Sequence, residues 1–209
     1  MAQEPFIARG FRARSPRMVD AHRLPPGQYE TTDFPVLSAG PTPRAPLANW
    51  DFTIRDSDDR VARWSWDEFQ TLPRETPVVD IHCVTKWSKF GTKWEGVSID
   101  ALITAAASHG VQSGPFVRAV CDGGYTTNLP VTDLTRGKAW IAFGYEGAAL
   151  PPEHGGPARL LVPHLYFWKS AKWVRGLQFT LTDSPGFWEQ LGYHNHGDPW
   201  REQRYHGDP

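Results

Sequence analysis

HGGPARLLVPHLYFWKSAKW, residues 154–173, is the stretch on which the reading of this chain turns. It opens with turn chemistry, because His154-Gly155-Gly156-Pro157 joins two glycines to a proline. The short apolar run at 160–163 then reads as a strand, and Lys169, Ser170 and Lys172 follow in the next loop. His154, Arg159, Lys169 and Lys172 therefore bring several hydrogen-bond donors to one loop–strand–loop unit. With the Ser170 hydroxyl and a glycine-rich backbone, such donors suit a phosphate or another anion. A solvated basic surface, balanced by acids elsewhere, would read the same way. No Walker or dinucleotide glycine pattern decides between the two.

Strands surround this unit. Residues 116–121, 139–145 and 173–181 read as extended, and the strand inside the unit spans 158–163. Upstream, Trp50, Phe52 and Ile54 alternate as a half-buried strand that ends at the turn Asp56-Ser57-Asp58-Asp59. Val79, Ile81 and Cys83 alternate with Val78, Asp80 and His82 in another strand, which leads into a loop rich in Trp and Lys. Helices are fewer and shorter. Ser65 caps one through Phe69; Ser98 caps the best one, about 99–109, with Ile99, Leu102, Ile103 and Ala106 as its apolar stripe and Gly110 as its stop. The fold class is α+β, mixed and β-rich, with short helices.

Length and composition bound what this fold can be. At 209 residues the chain holds one well-cored domain. Ten Trp, with 19 Gly and 19 Pro, describe a turn-rich domain around an aromatic-walled interior and not a helix bundle. A net charge of −1 supplies no general basic field, so nucleic acid and anionic membrane are not expected partners. No apolar run reaches the roughly 18 residues of a membrane span. Arg9, Arg12, Arg14 and Arg17 are followed by Pro25-Pro26-Gly27 and by no apolar segment. No secretory or twin-arginine signal is read there, and a cytoplasmic location is expected. Residues 1–30 form an Arg- and Pro-rich arm, 31–183 the domain proper, and 184–209 a Gly-, His- and aromatic-rich tail.

Two cysteines are too few to staple a domain this size, and nothing pairs Cys83 with Cys121. Cys83, beside His82 and ahead of Lys86 and Lys89, is either a reactive thiolate or a small buried hydrophobe. Tyr125 is either a core aromatic or a phenol aimed into a pocket. Asp56, Asp58 and Asp59 lack calcium-loop spacing, and His194, His196 and His206 fit no zinc-finger spacing.

Three blocks tie these pieces together: DIHCVTKWS around Cys83, CDGGYTTNLP at 121–130, and YEGAALPPEHGGPARLLVPHLYFWKSAKW at 145–173. In them the chain resembles the sulfite oxidase-type molybdopterin oxidoreductases, over about 31–183 and in the family's order. It is most similar to short single-domain bacterial members related to the methionine sulfoxide reductase catalytic subunit. The resemblance implies a molybdenum–molybdopterin cofactor, with Cys83 as the thiolate on molybdenum. It implies that His154 and Arg159 contact the pterin, and that Lys169, Ser170 and Lys172 hold the pterin and its phosphate. Tyr125 matches a tyrosine that projects toward metal and substrate. The implied chemistry is two-electron oxygen-atom transfer on a small oxyanion or sulfoxide. An external haem or flavin protein is then the expected electron partner.

The departures from the family bear on substrate. Thr31 stands where sulfite oxidases carry an arginine, and Asp33, counted here among the cofactor-binding residues, stands where they carry a histidine. Trp87-Ser88 replaces arginines after Cys83, and Leu165 replaces a lysine of the sulfoxide-reducing relatives. Fewer cations suit dianionic sulfite poorly, because its desolvation needs paired charge. Two other classes fit less of the pattern. One is a non-catalytic pterin or anion carrier on the same fold. The other is a cysteine hydrolase, with His154 as the one plausible partner of Cys83.

Overall fold

A computed structural model describes residues 22–209; Arg9, Arg12, Arg14 and Arg17 of the amino-terminal arm lie outside the described residues. Among the described residues eleven strands and three short α-helices follow one another. The strands are β1 (Tyr29–Glu30), β2 (Asp51–Arg55), β3 (Val61–Ser65), β4 (Val78–His82), β5 (Trp87–Ser98), β6 (Phe116–Cys121), β7 (Thr126–Pro130), β8 (Trp140–Tyr145), β9 (Ala148–Ala149), β10 (Arg159–Leu161) and β11 (Val174–Thr180). The helices are α1 (Trp66–Phe69), α2 (Ile99–Ala107) and α3 (Phe187–Gln190). This is the β-rich α+β class read from the sequence.

The strands form two sheets. One runs β3-β2-β11-β6-β7; the other runs β1-β5-β8-β10, with β4 also on β5 and β9 also on β8. Phe52 and Ile54 of β2, Val117 and Ala119 of β6, and Leu177 and Phe179 of β11 meet Val97, Ile141 and Leu160 of the second sheet in one buried cluster. Helix α2 closes that core with Ile99, Leu102 and Ala106. Its start is fixed by Ser98, whose hydroxyl accepts from the Ala101 N–H. Ser65 and Glu68 cap α1 reciprocally as a capping box.

Several expectations need correction. The stretch after Cys83 is not a Lys- and Trp-rich loop: after the three turn residues 84–86 it becomes β5, the longest of the described strands, paired with β1, β4 and β8. Trp94 is buried between exposed Lys93 and half-buried Glu95, a period-2 signal that lysines and Gly91 obscure. Strands β3 and β7 carry no assignment in the sequence reading. The end of the amino-terminal arm is part of the fold, since Tyr29 and Glu30 lie parallel to Trp87 and Ser88. Cys83 falls just past β4 and not within it. His196 of the tail bonds Asp133 through Nε2 at 3.0 Å.

Candidate active site: a thiol and an anion cradle in one cavity

The β4–β5 hairpin places Cys83, and strand β10 places Arg159. Between them lies a cavity of about 660 Å³, lined by Cys83, Tyr125, His154, Arg159, Ser170 and Lys172 together with aromatic rings. That size is ordinary for a cofactor or small-ligand site. The lining brings together six of the eight residues singled out from the sequence.

Cys83 is free and buried, and burial raises its thiol pKa while the Thr85 hydroxyl, donating to Sγ at 3.2 Å, opposes that rise. Gln28 Nε2 donates to the Cys83 carbonyl at 3.1 Å, tying the residues ahead of β1 to the thiol turn. His82 is no partner for the thiol. Its Nδ1 meets Ser88 Oγ at 2.9 Å, and burial draws its pKa down to about 4.

Arg159 is 1% exposed. It donates from Nη1 to the His154 carbonyl at 2.8 Å and from Nη2 to the Ser170 carbonyl at 2.6 Å, so it bridges the two loops that flank β10. Its guanidinium lies 4.0 Å from the centroid of the Phe167 ring, a cation–π contact. Burial draws its pKa down to about 9, which leaves it charged at neutral pH. Lys172 donates to the carbonyls of Leu37 and Glu153, each at 2.7 Å, and burial draws it down to about 8. His154 is pulled down by burial and by Arg159, so its imidazole is neutral at pH 7. Its ring stacks on Phe34 at 3.8 Å and 9°.

Glycine lets this cradle close. Gly155 sits at φ +109°, and a Cβ there would come within 3.1 Å of both Lys172 and Arg159. A Cβ on Gly156 would lie 2.1 Å from the Leu150 carbonyl oxygen, which is backbone and cannot swing away. Gly156→Ala is therefore expected to destabilise the protein by about 1–3 kcal/mol, the usual cost of overpacking. A chemical denaturation midpoint equal to wild type would refute that.

Two expected site residues lie elsewhere. Lys169 does not line the cavity. Its Nζ pairs with Glu189 Oε1 at 2.7 Å and donates to the Asn128 carbonyl at 2.8 Å, and both charged side chains are 1% exposed. Asp33 is exposed, and its backbone N–H donates to Thr31 Oγ1 at 3.1 Å; its neighbour Phe34 supplies the cavity contact. Two others are held as scaffold as well as lining. Ser170 Oγ accepts from the Val162 N–H at 2.8 Å, and Tyr125 donates its hydroxyl to the Trp168 carbonyl at 2.7 Å. Burial raises the Tyr125 phenol well above its usual pKa.

Sequence reasoning expected an aromatic-walled interior without naming the rings that form it. Phe34, Trp87, Trp168, Phe187, Trp188 and Tyr193 all line the cavity, and the last three come from the tail. The excess of Trp was the available signal, but composition cannot say which rings share a surface.

The structure thus describes a domain that can hold an anionic cofactor beside a cysteine thiol. The chain belongs to the oxidoreductase molybdopterin-binding domain family, whose model matches residues 39–188. It is 42% identical over 187 residues to an uncharacterized oxidoreductase, YuiH, of Bacillus subtilis (strain 168), covering 89% of this chain and 93% of that protein. It is 24% identical over 166 residues to the protein-methionine-sulfoxide reductase catalytic subunit MsrP of Campylobacter jejuni, covering 71% of this chain and 55% of the relative. The sulfane dehydrogenase SoxCD of Paracoccus pantotrophus has a similar fold, with TM-score 0.59 and 20% identity over 68% of this chain and 41% of that one. The chain therefore spans only about half of the MsrP and SoxCD chains. Among the described residues no helix is long and apolar enough to cross a membrane.

The residues present fit a molybdenum–molybdopterin cofactor. Arg159 spends three donors on carbonyls and Lys172 two, so each retains N–H groups for an anion. A thiol, the soft ligand that such a metal takes, opens onto the same cavity.

Proposed function

We propose that this protein is a molybdenum–molybdopterin oxidoreductase of the sulfite oxidase type. The observation that carries the reading is the shared cavity: the Cys83 thiol and the Arg159, His154 and Lys172 donors line one space. In this reading Cys83 ligates molybdenum. Arg159, His154, Ser170 and Lys172 hold the pterin and its phosphate. The bound cofactor would supply two-electron oxygen-atom transfer, and the protein supplies orientation and electrostatics.

What the chain's own residues do follows from their environment. Arg159 stays charged and fixed between two loops, so it meets an anion without reorganising. His154, neutral and stacked on Phe34, offers a ring nitrogen without adding charge. Tyr125 lines the cavity as a neutral phenol, held in place by the bond its hydroxyl donates to the Trp168 carbonyl. The aromatic wall favours a substrate with apolar flanks. Few cations line the cavity, which suits a neutral sulfoxide better than the sulfite dianion. Electrons would pass to or from an external haem or flavin protein. A non-catalytic carrier on this fold would have no chemical use for a thiol placed beside the anion cradle.

The reading is tested by molybdenum and pterin content after purification from a host that makes molybdopterin. Near-stoichiometric amounts of both are expected. Neither one in folded protein, from a host that loads a control enzyme, would overturn it. Arg159→Ala removes a charge-assisted contact of about 1.5–3 kcal/mol, so cofactor retention on dialysis is expected to weaken roughly ten- to a hundredfold. Full retention would remove Arg159 from the cradle.

A further inference from the structure

The sulfur of Cys83 is held by the turn that follows it. Val84, Thr85 and Lys86 join β4 to β5, closed by the Cys83 N–H to the Trp87 carbonyl at 2.8 Å and the Lys86 N–H to the Cys83 carbonyl at 3.0 Å. Lys86 has φ +76°, so the loop is a tight turn finished by a left-handed residue, a common three-residue hairpin connection. This path folds the loop back over the residue that opens it. The Thr85 hydroxyl donates to Cys83 Sγ at 3.2 Å. Thr85 also lines the cavity, and it is exposed, so no core packing depends on it.

We propose that Thr85 is a positioning residue for the Cys83 thiolate: its hydroxyl orients the sulfur, withdraws charge from it and so raises the reduction potential of the metal that Cys83 holds. The proposal rests on the molybdenum reading above. Hydrogen bonds to a ligating sulfur, and the ligand's outer contacts generally, tune a metal's potential and orientation. A sulfur that accepts hydrogen bonds donates less charge, which favours the electron-rich, reduced metal. Removing one such bond makes the sulfur a stronger donor and favours the oxidised metal. The turn itself is closed by backbone bonds, so a substitution at Thr85 removes the hydroxyl and leaves the turn in place. Valine keeps the shape of threonine without the donor, and serine keeps the donor without the methyl.

The test is a redox titration of molybdenum-loaded wild type, Thr85→Val and Thr85→Ser, followed by the paramagnetic resonance of the molybdenum(V) state. In Thr85→Val the ratio of oxidised to reduced metal at a given poise is expected to rise about tenfold, a midpoint lower by about 59 mV for a one-electron couple. Thr85→Ser is expected to stay near wild type. Equal midpoints for Thr85→Val and wild type at equal molybdenum content would overturn the proposal. So would a Thr85→Ser midpoint that follows Thr85→Val, because the effect would then belong to the methyl. Loss of metal from Thr85→Val alone would assign the hydroxyl to retention and overturn the tuning role. Absence of molybdenum from the wild type itself would overturn the underlying reading and the proposal with it.

Discussion

Cys83→Ser is expected to lower molybdenum content at least tenfold and abolish activity, while pterin is partly retained and the circular dichroism spectrum is unchanged. The reasoning separates metal from pterin. Serine offers a hard oxygen that stays protonated at neutral pH, where a coordinated thiol is a soft thiolate. Loss of a contact beyond the ligand itself commonly costs 10- to 100-fold in metal affinity, so about tenfold is a floor for loss of the ligand. The proposed pterin cradle is untouched, because Arg159 is anchored to the His154 and Ser170 carbonyls and Lys172 to those of Leu37 and Glu153. The fold is spared as well. Cys83 lies in a turn closed by backbone bonds that the substitution leaves in place. Elemental analysis and pterin fluorescence on the same preparation decide the matter. Full molybdenum content in Cys83→Ser would end the assignment of this thiol as ligand. Loss of pterin together with all secondary structure would show that Cys83 acts through packing.

The sequence is legible where structure is local. Ser65 and Ser98 announce helices because a capping bond spans three residues, and both bonds form. The alternation of Trp50, Phe52 and Ile54 announces β2 because one face of that strand is buried. Strand β5 hides because its partners are β1, β4 and β8, far apart in the chain, and its lysines and glycine resemble a loop until those partners are in place. The anion cradle was half legible for the same reason. His154, Arg159, Ser170 and Lys172 converge across one strand, so their grouping follows from nearness in sequence. Which of the two lysines enters the cavity does not, because it depends on an acid twenty residues further on. Lys169 and Lys172 are alike in composition and differ only in where Glu189 arrives.

That difference yields a second large effect. In protein prepared without cofactor, Lys169→Met is expected to lower stability by about 3–5 kcal/mol, the cost of stranding one partner of a buried ion pair. For a chain of this size that is a fall of roughly 6–20 °C in the unfolding midpoint. Glu189 Oε1 would keep the Thr127 hydroxyl and the Trp168 indole N–H, each at 3.0 Å, but no cation. Helix α3 carries Glu189 between Phe187 and Trp188 on one side and Tyr193 on the other, so the tail's share of the cavity wall hangs on this pair. Adding Glu189→Gln is expected to restore most of the stability. The amide oxygen still accepts from Thr127 and Trp168, and no uncompensated charge remains in the interior. A lysine that held the cofactor's phosphate would behave in the opposite way. Its removal would leave cofactor-free protein as stable as wild type or more so, since an unpaired buried ammonium would have been taken out. Thermal melts of the two variants without cofactor separate these cases: destabilisation rescued by Glu189→Gln makes Lys169 the anchor of the tail, and its absence returns the residue to the cradle.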